Sequence, residues 1–291
     1  MVTRQNPPKT FAIATHPAQP EAAEEARTIA TQLTKLGLKH VLSASIYEPQ
    51  LKRKLKSGAA DFLVALGGDG TMLRAGHLVA PLGVPVLGIN RGRFGFLMEI
   101  GQTGCKERFQ QLVSGDFWIE NRMMLHCVHR RLEEFLGEWH VLNDVVISRG
   151  QYVRPIQLTA SLDGYLLASY NADALIVSTA TGSTAYALAA GGPILPPELR
   201  NILIVPVAPH LSVDRSIILS EGSKVVVKVN TSHQAVLSAD GQPPVILKDG
   251  DTVEASAGEY SVSFIRFEDP GYFYRNLNQY MERSPITGGF V

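Results

Sequence analysis

The chain has 291 residues, and its 27 basic and 27 acidic side chains cancel. That length buries a substantial core in one large or two medium domains, and the charge balance argues against a nucleic-acid-binding or polybasic membrane surface. Cys105 and Cys127 are the only cysteines; they suit a reducing compartment and form no metal-ligand cluster.

No apolar run reaches membrane-spanning length and the N-terminus has no apolar signal core, so the expectation is a soluble cytoplasmic protein. Residues 1–9, with Pro7 and Pro8, read as a loose tail, and 10–15 as a short buried strand. Residues 21–36 have helical periodicity, with Ala22, Ala26, Ile29, Ala30 and Leu33 on one face and Gly37 as a stop. A strand over 41–44 and a short basic helix over 49–56 follow.

The next stretch, Asp61-Phe62-Leu63-Val64-Ala65-Leu66-Gly67-Gly68-Asp69-Gly70-Thr71, organises the rest. Its apolar run does not alternate, which predicts a strand buried on both faces, as in a parallel sheet. A helical pattern covers 71–80. A glycine-rich loop at the carboxyl end of such a strand, opening a helix, is where open α/β sheets bind ligands. Glycines let backbone N–H groups approach phosphate, and the helix N-terminus adds positive potential. Asp69 repels phosphate and is better matched to a hydroxyl or a metal ion. Phosphate-binding backbone plus one acid points to phosphoryl transfer to an alcohol; the alternative is a tight turn in which Asp69 only caps the helix.

A strand over 84–89 leads into a second glycine-rich turn, Gly88 to Leu97, where Arg91 and Arg93 are either phosphate ligands or exposed loop charges. Residues 106–114 read as a helix. From 118 to 267 the pattern changes to short strands, among them 139–148, 156–162, 175–178, 224–230 and 260–267. Asp163-Gly164, Asp240-Gly241 and Asp249-Gly250 supply turns between them. One helix, 183–190, interrupts this region, and a last helix near 272–281 has the apolar spacing to dock on the first domain. The expected organisation is an N-terminal α/β domain over 1–118, a β-rich domain over 119–267, and a terminal helical segment, 268–291, packed back on the first.

Asn143-Asp144 falls inside the apolar run Val141 to Ile147, so on a single strand the two side chains would point to opposite faces and at least one would need a buried partner. Asp173 precedes another apolar run, followed by Thr179-Ala180-Thr181-Gly182-Ser183-Thr184-Ala185-Tyr186 and Gly191-Gly192-Pro193. Four hydroxyls there can read amide, ribose or adenine edges without charge, whereas helix capping accounts for one. Ser238 to Gln242 is, by itself, a plain hairpin turn. His126 and His129 read as structural.

Taken together, the motifs resemble the NAD kinase family. Gly67-Gly68-Asp69-Gly70-Thr71 is similar to its first motif, Asn143-Asp144 to its Asn-acid pair, Asp173 with Thr179 to Tyr186 and Gly191-Gly192-Pro193 to its long central motif, and Asp240-Gly241-Gln242 to a late motif. The resemblance implies an α/β domain with a Rossmann-like, phosphofructokinase-like topology plus a β-sandwich-like second domain. It implies transfer of the terminal phosphate of ATP, or of polyphosphate, to the 2′-hydroxyl of the adenosine ribose of NAD, giving NADP, with a divalent metal such as Mg2+ accompanying the donor. Asp69 would be the proton acceptor, with Gly67, Gly68, Gly70 and Thr71 along phosphate. Asp69, Gly70 and Arg74 would also meet NAD, and Asn143 and Asp144 would hold its adenosine. Asp173 and Ala185 would meet the nicotinamide end. Thr181, Thr184 and Tyr186 would line the same cleft, continued by Ala187, Leu188 and Ala189. Arg154, Asn171 and Gln242 stand where the family has further NAD contacts. No residue is assigned as a metal ligand. The resemblance also implies a homodimer or homotetramer, while the charge balance and the lack of a membrane-spanning apolar run lead to the expectation of no nucleic-acid partner and no membrane. Asp144 stands in place of the family's usual glutamate, and Ala180 in place of a usual proline. A lipid kinase sharing the glycine loop, or an inactive NAD(P) sensor, are the competing readings.

Overall fold

The computed structural model describes residues 5–17, 21–91, 95–101 and 104–283, the last five as backbone only. Arg93, the first four residues of the expected tail and the end of the terminal segment lie outside the described residues. The chain divides into two compact units. One comprises residues up to Asn121 and from Ser261 onward, the other Arg122–Tyr260.

The first unit is a parallel α/β layer. Strand β1 (Thr10–Thr15) leads to helix α1 (Ala22–Lys35), whose buried face is Ala22, Ala26, Ile29, Ala30 and Leu33. Gly37 turns the chain with φ +96°. Strand β2 (Lys39–Ser45) follows, then α2 (Pro49–Lys56). Pro49 opens α2 where the missing N–H has no intrahelical partner to lose, and Leu51 and Leu55 are its buried i, i+4 pair. Strand β3 (Phe62–Gly67) is buried at every residue, as its unbroken apolar run requires. Helix α3 (Asp69–Val79) begins two residues before the expected start, because the Gly68 carbonyl accepts the N–H of both Thr71 and Met72 and draws Asp69 into the first turn. Strand β4 (Val86–Asn90) and helix α4 (Cys105–Ser114) complete the run.

Strand β5 (Trp118–Arg131) carries the chain into the second unit, where two sheets form. It pairs antiparallel with β6 (Glu134–Val141). Strand β7 (Asp144–Arg149) then joins the other sheet, so the expected single strand over 139–148 is two strands, one in each sheet. Strands β8 (Ile156–Leu162) and β9 (Tyr165–Ala172) form a hairpin turned by Asp163-Gly164, both at positive φ. Strand β10 (Ala174–Thr179) is wholly buried. The expected helix over 183–190 is instead a 3-10 turn, Thr181–Thr184, and a single α-turn, α5 (Tyr186–Ala189), separated by Ala185 at φ −101°, ψ −127°. Strands β11 (Asn201–Val207), β12 (Ile217–Ser220), β13 (Val225–Asn230), β14 (Ala235–Ala239) and β15 (Val245–Leu247) follow. Strand β16 (Thr252–Arg266) returns the chain to the first unit, which ends in α6 (Tyr272–Arg283).

In the first unit the strand order is β2-β1-β3-β4-β16, and the registered pairs are parallel. Successive crossovers run to opposite sides of β1, placing a topological switch point at the carboxyl ends of β1 and β3. Its core is built from Phe11, Ile13, Leu33, Val64, Leu66 and Ile265 with their neighbours. In the second unit one sheet runs β16-β13-β8-β9 with β5 and β6, and the other runs β12-β11-β10-β7-β14-β15. A single apolar cluster takes residues from both sheets, including Leu125, Val145, Leu158, Leu175, Val227 and Val253. This is a sandwich core. The mixed α/β fold with a β-rich second region is the class that the sequence implies.

Candidate active site

The glycine loop lies at the carboxyl end of β3, at the switch point. Gly67 pairs with Asn90 of β4, and its carbonyl accepts the Arg91 N–H at 3.0 Å. A Cβ on Gly67 would stand 2.3 Å from Thr71 Oγ1, so a side chain there would break the turn. Gly70 is exposed in the first turn of α3, and Thr71 is buried beneath it. Asp69 is half-buried. Its Oδ2 accepts the Phe96 N–H at 3.0 Å and its Oδ1 the Leu97 N–H at 3.1 Å. A Cβ on Gly95 would lie 2.2 Å from Asp69 Oδ1. The backbone of residues 95–97 thus packs directly on the carboxylate, which does more than cap a helix. Arg74, exposed on α3, donates to Tyr47 Oη and stacks 5.2 Å from that ring's centroid. Arg91 forms an ion pair with Glu25 at 2.7 Å.

The second unit contributes a different construction, centred on the point where the chain changes sheets. Between β6 and β7, Leu142 and Asn143 leave the ladder, and Asp240 takes over their N–H groups. Its Oδ2 accepts from Leu142 at 2.7 Å, and its Oδ1 from Asn143 at 2.7 Å and Asp144 at 3.1 Å. The matching carbonyls are also satisfied. Thr179 Oγ1 donates to Leu142 O at 2.5 Å, while Thr179 N–H and Ser178 Oγ donate to Asn143 O at 2.9 and 3.0 Å. Thr179 Oγ1 accepts the Gly182 N–H, and a Cβ on Gly182 would stand 2.1 Å from Asn143 O. The switch and the 3-10 turn therefore interlock through backbone.

These contacts correct two expectations. Asn143 and Asp144 do not share a strand interior; Asn143 is the half-buried residue of the switch and Asp144 the buried first residue of β7. The hydroxyls read as ligand-facing are largely committed to backbone. Ser183 Oγ donates to Ala180 O at 2.6 Å and accepts from Leu195 N–H at 2.9 Å, and Thr184 Oγ1 donates to Thr181 O at 3.1 Å.

Asp144 is 5% exposed. Burial, reinforced by the Asp240 charge, pushes its carboxyl up to about 7 against the opposing bond from Tyr186 N–H. Tyr186 itself is exposed, as is Ala189, whereas Ala187 is buried and Thr181 lies under the turn. Ala185 and Leu188 are half-buried. Asp173, just before β10, forms an ion pair with Arg149 at 2.9 Å. Asn171 is exposed at the end of β9, its carbonyl accepting from His210 N–H at 2.7 Å. Arg154 is exposed between β7 and β8, and Gln242 is exposed on the turn after Asp240.

The part played by Asp240 was not visible in its turn sequence, nor was Arg149 as the partner of Asp173. The sequence marks Asp240 only as part of the Asp240-Gly241-Gln242 motif; in the structure it stands at a left-handed turn position, φ +48°, and is 9% exposed.

The ATP-NAD kinase N-terminal domain model matches residues 11–117, and the C-terminal domain model matches 142–267. An NAD kinase of Dehalococcoides mccartyi is 35% identical over 93% of this chain and 95% of its own length. One of Heliobacterium modesticaldum is 36% identical over 94% and 99%. Among solved structures, yeast NADH kinase complexed with NADH superposes with a TM-score of 0.82 at 26% identity, covering 95% of this chain and 88% of that one. An NAD kinase from Archaeoglobus fulgidus in complex with ATP shares the fold with a TM-score of 0.76 at 24% identity, covering 94% and 99%. A parallel α/β unit with a glycine loop and an acid at its switch point, continued by a β-sandwich, is the architecture of a kinase of this kind. The chain belongs to the ATP-NAD kinase family.

Proposed function

We propose that the chain transfers the terminal phosphate of ATP to the 2′-hydroxyl of the adenosine ribose of NAD, giving NADP, with ADP as the leaving group. The observation that carries this reading is the Asp69 carboxylate, set in the first turn of α3 behind a loop that tolerates no side chain at Gly67. A ribose hydroxyl is a poor nucleophile at neutral pH. Asp69 accepts its proton as the bond to phosphorus forms, a contribution of typically about 10²–10⁴-fold. The backbone of Gly67, Gly68, Gly70 and Thr71 lies along phosphate, aided by the positive end of α3. Asn143 and Asp144 hold the adenosine, while Asp173 with Thr181, Thr184, Ala185 and Tyr186 receives the rest of NAD. Arg74, Arg154, Asn171 and Gln242 are exposed and open to a ligand.

Among the described residues no group of three or more His, Cys, Asp or Glu side chains is placed to hold a metal. A divalent ion, Mg2+ by family resemblance, would accompany the phosphates of the donor and offset their charge. Among the described residues no helix is long and apolar enough to cross a membrane. The assembly is a homodimer or homotetramer; exposed Leu166, Leu211 and Val153 on the second unit support it.

The test is incubation of the purified protein with NAD, Mg2+ and ATP, or polyphosphate in a parallel reaction, with NADP read by an NADP-specific dehydrogenase. NADP from ATP is the expected result. Folded protein that binds NAD and forms no NADP from either donor would contradict the reading.

A further inference from the structure

The Asp69 carboxylate is held by backbone, so something must hold that backbone. Phe96 and Leu97 supply the two N–H groups, and the three carbonyl and carboxylate acceptors that follow them converge on one buried side chain, Arg266, the last residue of β16. Its Nη1 reaches Leu97 O at 3.5 Å, Met98 O at 3.4 Å and Glu99 Oε2 at 2.9 Å. Its Nε donates to Glu120 Oε2 at 2.9 Å. Arg266 is 1% exposed, and its guanidinium lies 5.1 Å from the ring centroids of both Phe264 and Tyr272. Tyr272 Oη donates to Glu120 at 2.9 Å, and Glu99 Oε1 accepts the Phe267 N–H at 2.8 Å. Burial alone would disfavour the charged guanidinium, but Glu120, Tyr272 and Glu99 reverse that and keep it charged. All these residues belong to the first unit.

We infer that Arg266 is a positioning residue for the phosphoryl transfer: it fixes residues 97–99 so that the Phe96 and Leu97 N–H groups keep the Asp69 carboxylate in its reactive orientation. The inference rests on Asp69 being the proton acceptor. A planar fork beside two rings can address a carbonyl pair and two carboxylates at once, and a lysine cannot. Small displacements of a catalytic group lower turnover more than they lower substrate binding.

The experiment compares the parent, Arg266→Lys, Asp69→Asn and the double variant as full chains, with kcat and KM for NAD at saturating ATP and thermal midpoints for folding. Arg266→Lys is expected to fold, to keep KM within about threefold and to lose about 10- to 100-fold in kcat. In the Asp69→Asn background the same substitution should change kcat by less than about twofold, because its effect runs through Asp69. Parent-like kcat in Arg266→Lys, or the full loss repeated on top of Asp69→Asn, would overturn the inference while leaving the Asp69 assignment standing. Parent-like turnover in Asp69→Asn would overturn that assignment and this inference with it. If the lysine variant does not fold, Glu99→Gln carries the same comparison, since its amide keeps the volume and weakens the bond to Arg266; a kcat loss absent in the Asp69→Asn background is again expected, and no loss overturns the inference.

Discussion

Asp144 and Asp240, joined by the bond from the Asp144 N–H to Asp240 Oδ1, are two buried carboxylates that do opposite work. Asp240 receives three backbone N–H groups and holds the chain at its change of sheet. Asp144 receives one, from Tyr186, and burial raises it to about 7. The sign of the consequence follows from the folded state binding the proton more tightly than the unfolded chain. Asp144 contributes stability fully below the ordinary carboxylate range, and that contribution is lost as pH rises towards about 7. Asp144→Asn should therefore gain on the parent by about 1.4 kcal/mol per pH unit between pH 4 and 7 and level off above, in urea titrations at a series of pH values. A constant difference across that range would contradict the assignment. Asp240→Ala strands three N–H groups and should cost about 3 kcal/mol or more, with NAD binding lost alongside; a cost below about 1 kcal/mol would show that the switch does not depend on it.

Among the elements, the turn Thr181–Thr184 is the one whose local sequence and final role differ most. Its glycine lies on the Asn143 carbonyl, so Gly182→Ala must part the turn from the switch. About 2 kcal/mol of destabilisation and weaker NAD binding are expected, read by denaturant midpoint and by NAD titration; unchanged values of both would contradict the interlock. The elements of the first unit were largely legible, because α1 and β3 announce themselves through an apolar stripe and an unbroken apolar run. Helix α3 starts two residues before its helical pattern, since Gly68 and Asp69 carry no helical preference and the Gly68 carbonyl decides the matter. The second unit was legible as strands and turns but not as sheets. Val141 to Ile147 reads as one continuous strand, and what divides it is a carboxylate 97 residues further on. The helix expected over 183–190 breaks at Ala185 because Ser183 is tied to Leu195 and Tyr186 to Asp144, contacts that local periodicity does not encode.

At the scale of the whole molecule, the two units divide the proposed chemistry. The parallel layer presents a phosphate-binding loop and an acid. The sandwich presents a turn and a sheet switch stitched together by backbone, where the proposed reading places the dinucleotide. The candidate motifs stand out because each is a short, unusual run of residues; the contacts that Arg266, Arg149 and Asp240 make do not, because each reaches a partner distant in the chain. The most direct measurement is NADP formation from NAD and ATP by the parent and by Asp69→Asn, with thermal midpoints showing both folded. The account predicts turnover in the parent and a loss of about 10²–10⁴-fold in the variant at similar NAD affinity. Equal turnover in the two, or none in a folded, NAD-binding parent, would contradict it.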